Sequence, residues 1–373
     1  MRQALEIAGL SPKTWAALRS AEAVLSIGGI QLDVPIMQAA LAGYSDAAMR
    51  RFAREYGCPY TMNEVVLDRL VPIGGKKMRR MLTIAPDEHP VGGQLMGSEP
   101  EQFAAAADRL VGLGYDAVDI NFGCPVKKVL GRCRGGFLLS VPGRAMEIIR
   151  RVYDVVAGRV AVTVKMRRGM DATAESERNF FVVLDAAFEI GVTAVTVHGR
   201  TVKQRYVGPS DWSFLTRVKR HVGDRMIIGS GDLFAAQDCV RMLNETGVDG
   251  CSIARGAIGN PFIFHEVRAV LAGQPLPPPP SIAEQRRAIE RHFQLLVEVH
   301  GEAKARQIFR KFGVRYSELH PCAEDVKMAF VAARTAEDWR ALLARWYGDA
   351  GAYPPVVRRS RPESLIAAGA SWE

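Results

Sequence analysis

The chain has 373 residues, of which 48% are hydrophobic and 24% are charged, and its net charge is +9 at pH 7. This length and composition predict one large globular domain with a smaller appendage. No apolar run approaches the roughly 18 residues of a membrane span, and the N-terminus lacks the apolar core of a signal peptide, so we expect a cytoplasmic protein without membrane contact.

The six cysteines and the excess of positive charge narrow the function classes further. The cysteines lack the paired spacing of zinc sites and disulfide frameworks, so we expect no metal site and a reducing compartment. A basic balance of this size is compatible with a polyanionic partner, although many basic proteins have none.

Residues 1–34 precede the main domain. They contain an amphipathic, helix-like segment and then two short alternating runs on either side of Gly28-Gly29, a pattern typical of a β-hairpin. We expect the hairpin to cover the N-terminal mouth of the fold that follows.

Residues 35–272 alternate between short apolar runs and amphipathic segments, which predicts parallel βαβ units. Eight units over roughly 220 residues match a (β/α)8 TIM barrel, an α/β fold. A doubly wound sheet is the alternative, but the GxGxxG turn of such sheets is absent from residues 39–43, where the first run ends. The predicted strands cover residues 35–40, 60–63, 91–95, 117–121, 161–165, 194–198, 226–229 and 250–254. Predicted helices include residues 100–113, 143–156, 176–190 and 235–246.

A proline-rich linker at residues 273–281 separates the barrel from residues 282–347, which predict a small all-helical C-terminal domain. In this domain, residues 306–316 mix basic and aromatic side chains at helical spacing. The segment is either an amphipathic helix with its aromatic residues inward or a face for nucleic-acid phosphates. The predicted helices cover residues 282–300, 303–318, 323–333 and 336–346. The tail, residues 348–373, is expected to be flexible.

In TIM barrels the functional residues lie at the C-terminal ends of the strands. The polar residues at these ends are amides, cations and glycine-rich turns, without the carboxylate pair of a glycosidase or the spacing of metal ligands. The turns after strands seven and eight, each followed by a helical segment, are typical of a barrel phosphate site. The candidates are Gln94, Asn121, Cys124, Lys165, His198, Arg200, Gly229-Ser230-Gly231-Asp232 and Arg255-Gly256.

Together these candidates suggest a site for flavin mononucleotide (FMN). Lys165 would stabilise negative charge on the isoalloxazine ring, and Gln94 would form a hydrogen bond with the edge of the ring. Each residue also has an ordinary interpretation: Lys165 as a salt-bridge residue, His198 as a structural histidine, and Cys124 as a small buried residue in a turn.

Five segments resemble the flavin-dependent tRNA-dihydrouridine synthase family, and the resemblance extends from about residue 27 to residue 346. The segments are 119–129 (DINFGCPVKKV), 164–169 (VKMRRG), 195–201 (VTVHGRT), 229–232 (GSGD) and 254–262 (ARGAIGNPF). The resemblance implies reduction of the C5=C6 bond of uridine with NADPH, and Cys124 as the acid that protonates C5 while hydride adds to C6. It implies cofactor contacts at Ala40, Leu41, Ala42, Gln94, Asn121, Lys165, His198, Ser230, Gly231, Asp232, Ala254, Arg255 and Gly256.

The same resemblance implies that tRNA, or another structured RNA, binds across the barrel mouth and the helical domain of a monomer. The target base must leave the RNA stack, because the chemistry needs the face of its ring. Candidate phosphate contacts are Lys127, Lys128, Arg132, Arg200, Lys203, Arg205, Arg310, Lys311 and Arg315.

The sequence departs from the family at several of these positions. Ala40-Leu41 replaces the usual Pro-Met, Ser230 replaces Asn, Ala254 replaces Gly, and Leu130 replaces a polar residue. Contacts made by the main chain survive such changes. Two alternatives therefore stay open beside membership of the family: a flavin barrel that reduces a small molecule, and an RNA-binding relative without flavin.

Overall fold

The structure, a computed structural model, describes residues 25–348 and 352–359. The helix predicted near the N-terminus lies outside the described residues, as do residues 349–351 and 360–373 of the predicted tail.

The centre of the protein is a closed barrel of parallel strands, which confirms the predicted TIM barrel. The strand pairs run in sequence around the barrel, and the circle closes where the second strand pairs with both the first and the third. The barrel strands are β3 (Ile36–Gln38), β4 (Thr61–Met62), β5 (Val66–Leu67), β6 (Val91–Met96), β7 (Ala117–Phe122), β8 (Ala161–Arg167), β9 (Ala194–His198), β10 (Met226–Ser230) and β11 (Gly250–Ile253).

The second barrel strand is split into β4 and β5, which the sequence did not predict. Both pieces pair with β6, β4 at Val91 and β5 at Leu95. Between them, the Asn63 side-chain oxygen accepts the backbone N–H of Gln94 at 2.7 Å. A side chain thus replaces a backbone carbonyl in the ladder, and the strand is interrupted without leaving this buried donor unpaired.

The longer helices that surround the barrel each bury one face. The four predicted barrel helices are present within two residues of their expected ends. The helices in this region are α1 (Ala47–Glu55), α2 (Lys76–Leu82), α3 (Pro100–Gly112), α4 (Lys127–Leu130), α5 (Pro142–Val156), α6 (Ala174–Ile190), α7 (Trp212–Val222), α8 (Ala236–Thr246) and α9 (Phe262–Leu271).

A hairpin of β1 (Leu25–Ile27) and β2 (Ile30–Leu32) closes the N-terminal mouth of the barrel, as expected. Its four apolar side chains are buried in one cluster with residues at the starts of the barrel strands, including Ala117, Ala161 and Ala194. Each buried apolar side chain of this size contributes about 1.5–3 kcal/mol, so the closure is stable. The chemistry is therefore left to the opposite, C-terminal mouth.

The C-terminal region is helical, as predicted, and it is attached to the first barrel helix. Helix α10 packs on α1, where the His292 ring stacks on Phe52 with a centroid distance of 4.8 Å. The His300 imidazole also pairs with the Asp46 carboxylate at the start of α1, at 2.7 Å. The four helices are α10 (Ile282–His300), α11 (Glu302–Ser317), α12 (Ala323–Ala332) and α13 (Ala336–Tyr347).

Residues 352–359, part of the tail that the sequence predicts to be flexible, contact the rest of the protein. Their backbone N–H groups at Val356 and Val357 donate to the carbonyls of Pro280 and Leu319, at 2.9 and 2.8 Å. Val356 and Arg359 are buried. An apolar anchor and satisfied backbone groups hold this stretch, despite its polar and proline-rich composition. No helix within the described residues is long and apolar enough to cross a membrane.

Candidate active site

The strand ends bring the predicted site residues together at the C-terminal mouth of the barrel. Neighbouring strands pair in a register that places Gln94 beside Asp119, Asn121 beside Lys165, and His198 beside Ser230. These side chains therefore share one side of the barrel although they are far apart in sequence.

A continuous chain of hydrogen bonds connects the barrel interior to the loop that carries Cys124. Asp119 accepts from the Gln94 amide at 2.7 Å and from the Thr163 hydroxyl at 2.6 Å. The Gln94 oxygen accepts from the Asn121 amide at 2.7 Å. The Asn121 oxygen accepts the backbone N–H groups of Gly123 and Cys124 at 2.9 and 3.1 Å. We name this chain, Asp119–Gln94–Asn121–Cys124, the amide relay.

Cys124 carries a free, partly buried thiol at the end of the relay. Burial raises the pKa of the thiol, and this effect exceeds the opposing effects of a backbone hydrogen bond at Val126 and of the nearby Arg167 charge. Lys127 and Lys128 are exposed on the following helix and are not among the groups that shift the pKa of the thiol. The sulfur is therefore protonated at neutral pH, as a proton donor requires.

Lys165 lies deep in the mouth, within 3.4 Å of the Ser230 hydroxyl. Burial lowers the pKa of its ammonium group to about 8, although the nearby Asp119 charge opposes this effect. Burial also raises the pKa of Asp119. Two neighbouring buried groups whose pKa values are shifted in opposite directions are typical of a functional site.

His198 lies beside Lys165 and is neutral, because burial and the surrounding cations lower the pKa of its imidazole well below the ordinary value. Its Nδ1 accepts the backbone N–H of Arg200 at 3.1 Å. The ring proton is therefore on Nε2, which leaves a donor for a ligand in the mouth.

The turns after β10 and β11 form a cationic corner around Asp232. Arg200 binds the Asp232 carboxylate with its Nη2 at 2.7 Å, and Arg255 approaches it at 3.5 Å. Three polar atoms in this corner are buried without a hydrogen-bond partner within the described residues: Arg200 Nη1, Arg255 Nη1 and Ser210 Oγ. A Cβ atom on Gly231 would approach the Ser210 Cβ to 2.8 Å, so only glycine fits there. Unpaired buried donors of this kind fit an anionic ligand such as a phosphate.

The segment after the first barrel strand, Ala40-Leu41-Ala42, borders the same mouth, and we name it the lip. Ala40 lines a cavity on the barrel axis with Gln94 and Lys165. Leu41 is partly buried and Ala42 is exposed. Ala254, partly buried, precedes the short turn Arg255–Ala257, so Gly256 lies within that turn.

The predicted RNA contacts near the mouth fall into two groups. Lys127, Lys128 and Arg132 are exposed and have no ion-pair partner in the described part of the chain. Lys203 is exposed but pairs with Asp171 at 2.8 Å, and Arg205 is partly buried.

Arg200 does not fit the predicted contact with RNA. Its side chain is fully buried, with the guanidinium held by Asp232 and by the Gly208 carbonyl. The sequence predicted a phosphate contact near the mouth because it does not reveal that the partner of Arg200, Asp232, is 32 residues away.

The cations of α11 are also less available than predicted. Arg310 donates to the Val331 carbonyl, Lys311 lies 4.8 Å from the Tyr44 ring centroid, and Arg315 pairs with Glu318. All three are partly buried. The structure favours the amphipathic interpretation of this helix, with Phe309, Phe312 and Tyr316 inward.

Arg167 and Tyr206 are in the mouth but were missed from the sequence. Arg167 donates to the carbonyls of Gly123, Thr201 and Arg205, so one side chain fastens the Cys124 loop to the loop after β9. Its guanidinium carbon lies 5.4 Å from the Tyr206 ring centroid, and that of Arg255 lies 4.9 Å away. Arg167 follows Lys165 by two positions on a strand, so the alternation of side chains was a usable signal.

Comparison with known proteins gives consistent results. The family model described as Dihydrouridine synthase (Dus) matches residues 37–344. The chain is 33% identical over 346 residues to the "Probable tRNA-dihydrouridine synthase" of Mycobacterium tuberculosis (strain ATCC 25618 / H37Rv), covering 87% of this chain and 85% of that protein. It is 32% identical over 337 residues to "tRNA-dihydrouridine synthase B" of Xanthomonas campestris pv. campestris, covering 89% of this chain and 99% of that protein.

Solved structures resemble the chain in fold. Histamine dehydrogenase from Rhizobium sp. 4-9 matches with a TM-score of 0.54 and 14% identity over 76% of this chain and 51% of that one. Morphinone reductase in complex with tetrahydroNAD matches with a TM-score of 0.50 and 12% identity over 68% of this chain and 91% of that one. At these identities the likeness concerns the barrel fold alone.

Proposed function

The chain belongs to the dihydrouridine synthase family and is an oxidoreductase, and from that premise we propose that it reduces uridine to 5,6-dihydrouridine in tRNA, with FMN as cofactor and NADPH as reductant. FMN, when bound, supplies the hydride that adds to C6 of the uracil ring. Both relatives described above are tRNA-dihydrouridine synthases by name, which favours tRNA over another structured RNA.

The position of the free Cys124 thiol, at the barrel mouth and at the end of the amide relay, is the observation that carries the proposal. The thiol gives its proton to C5 as the new C–H bond forms at C6, and the thiolate then regains a proton from solvent. One NADPH and one proton are consumed for each dihydrouridine formed. The amide relay supports this role, because it fixes the backbone on which the sulfur is carried.

The residues of the mouth fit FMN at both of its ends. Arg255 and the glycine-containing turns after β10 and β11 would hold the phosphate, in the corner where buried donors have no partner among the described residues. Lys165, the Nε2–H of His198 and the Gln94 amide would hold the ring, since they supply one cation and two hydrogen-bonding groups to its polar edge. The Ala40-Leu41-Ala42 lip would contact the ring through its main chain.

The chain's own residues also suggest how a flipped base is held. Tyr206 contributes an aromatic ring near the guanidinium groups of Arg167 and Arg255. Because Arg167 also binds the Gly123 carbonyl, a base that stacks on this side of the mouth would lie near Cys124.

Two measurements test the proposal in sequence. Purified protein should be yellow and should release FMN on heat denaturation, whereas a folded preparation that stays colourless after FMN is added would contradict the cofactor. Mapping of dihydrouridine in tRNA from cells with and without the gene should then reveal a position that is modified only when the gene is present. A flavin-bearing protein whose deletion leaves every position modified would instead support the small-molecule reductase.

A further inference from the structure

Two segments of the chain contain only positive charge. No Asp or Glu occurs between Asp68 and Asp87, and none occurs between Asp119 and Glu147. The first segment follows the split second strand, and the second contains Cys124. Their exposed cations are Arg69, Lys76, Lys77, Arg79, Arg80, Lys127, Lys128 and Arg132. We name this set the basic rim.

The cations of the basic rim have no partner in the described part of the protein. No salt bridge or hydrogen bond joins the ammonium or guanidinium group of any of them to another described residue, and the bond between Arg69 and the Asp68 side chain involves only the Arg69 backbone N–H. Elsewhere many exposed cations are paired, such as Arg151 with Glu101, Arg217 with Glu177, and Arg340 with Glu337. The rim therefore has charge that the described carboxylates do not neutralise.

The barrel register places both halves of the rim on the face that carries Cys124. Strand β6 pairs with β5 on one side and with β7 on the other, and all three run parallel. The segments that leave β5 and β7 therefore emerge at the same end of the barrel, about 10 Å apart, since neighbouring strands are about 4.8 Å apart. The charge of Arg134 in the second segment acts on the buried Asp68 carboxylate at the start of the first.

Helix α2 gives the first half of the rim a fixed shape. Met78 and Leu82 are buried and anchor the helix to the barrel, while Lys76, Lys77, Arg79 and Arg80 remain exposed around them. Four cations on an anchored helix present charge at less entropic cost than four on a flexible loop.

We infer that the basic rim binds the phosphate backbone of the RNA that delivers its uridine to Cys124, and that helix α2 is a principal part of this contact. The inference rests on the proposed function and extends it to a surface that was not a predicted RNA contact, since only Lys127, Lys128 and Arg132 were. It also gives α11 a smaller part in RNA binding than the sequence predicted, because the cations of α11 are partly buried and already have partners.

Salt dependence of tRNA binding tests the inference. Each neutralised phosphate releases condensed counterions, so the slope of log affinity against log salt flattens by about 0.7–0.9 for each phosphate that a variant no longer neutralises. The variant K76Q/K77Q/R79Q/R80Q should bind unmodified tRNA about 10- to 100-fold more weakly at low salt and should give a flatter slope. Its FMN content and its NADPH oxidation with oxygen as acceptor should equal those of the wild type.

A second quadruple variant provides a control with the same change in charge. Arg109, Arg150, Arg178 and Arg220 lie on α3, α5, α6 and α7, are exposed, and have no side-chain partner in the described ranges. R109Q/R150Q/R178Q/R220Q should retain tRNA affinity within about threefold and nearly the full salt slope. Equal reductions in affinity for the two variants would indicate a general charge effect and would overturn the inference.

The outcomes also separate this inference from the proposed function. If the wild type forms dihydrouridine and the α2 variant binds tRNA with unchanged affinity and slope, the rim inference is wrong while the function stands. If the wild type itself neither binds tRNA nor modifies it, both are wrong.

Discussion

At the scale of single residues, the amide relay fixes which atom of each side-chain amide, nitrogen or oxygen, faces each neighbour. The Asp119 carboxylate can only accept, so Gln94 must present its nitrogen to Asp119 and its oxygen to Asn121. At the other end, two backbone N–H groups require the oxygen of Asn121. The direction is thus fixed at both ends, and Asp119 acts on Cys124 through two intervening amides.

Reversal of the relay tests this coupling. N121D forces Gln94 to turn its nitrogen toward the new carboxylate and its oxygen toward Asp119, which leaves two acceptors facing each other. A mismatch of this kind costs about 1–3 kcal/mol, so thermal unfolding should reveal lower stability, and the uridine step should slow at least about tenfold. D119N added to N121D restores a donor and moves the carboxylate without changing the charge of the site, so most of the activity should be recovered.

The matched single variant D119N completes the cycle. It should be milder than N121D, because the Thr163 hydroxyl can accept as well as donate. A double variant that is as slow as N121D, or slower, would show that the relay does not position Cys124.

The pKa of Lys165 makes FMN binding depend on pH. The ammonium group in the cofactor-free protein has a pKa lowered to about 8, so it is charged below pH 8 and becomes neutral above it. Because the charged form donates a stronger hydrogen bond to the polar edge of the ring than the neutral amine does, the dissociation constant should be level between pH 7 and pH 8 and should rise above pH 8, by up to about tenfold per pH unit. Fluorescence titration of FMN at pH values on both sides of this pKa measures the rise, and K165M should bind more weakly without the inflection. The same inflection in K165M would assign it to another group.

At the scale of elements, residues 352–359 form a strap between the barrel and the helical region. The Arg359 guanidinium donates to the carbonyls of Arg255 and Ile258, on the turn after β11, and to that of Arg315 on α11. It also pairs with Glu318 at 2.9 Å. The strap lies beyond residues 37–344, which the family model matches, and it holds the turn after β11.

Removal of this support should affect FMN more than it affects folding. R359A should weaken FMN binding about tenfold, because the turn that carries Arg255 loses a buried donor of charge-assisted hydrogen bonds. R358A is the matched control, since Arg358 pairs with Glu266 and the Pro277 carbonyl and does not touch the turn. Calorimetric titration with FMN measures both; equal affinities in the two variants would limit the strap to a role in stability.

At the scale of the whole molecule, the sequence predicts strands and helices, whose apolar residues repeat with a regular period. It does not predict side-chain contacts between residues that are far apart in the chain. The strands and α10 were predicted nearly to the residue, because their apolar pattern is local. The split of the second strand was not, because it depends on the Asn63 side chain reaching Gln94. The burial of Arg200 depends on its ion pair with Asp232, and the partial burial of Lys311 depends on its contact with the Tyr44 ring. Such partners are brought together only by the closed barrel.

The predicted site residues lie close together for the same reason that the barrel forms. Candidates such as Gln94, Lys165 and His198 lie at strand ends, and a TIM barrel brings strand ends to one mouth. Residues on the surface lacked this constraint, and the cations of α11 are partly buried and engaged where the sequence predicted free contacts. Fold topology therefore carries over to the site, whereas surface electrostatics has to be read from the structure.

The role of Cys124 as the proton donor is tested by single-turnover oxidation of enzyme that NADPH has already reduced, with unmodified tRNA as the oxidant and oxygen excluded. We expect C124A to be reduced by NADPH at the wild-type rate but to be oxidised by tRNA about 10²–10⁴-fold more slowly, because only the uridine step needs the proton of the thiol. Equal rates of oxidation by tRNA in the wild type and C124A would contradict this role, and Cys124 would then be a residue of the turn that takes no part in the chemistry.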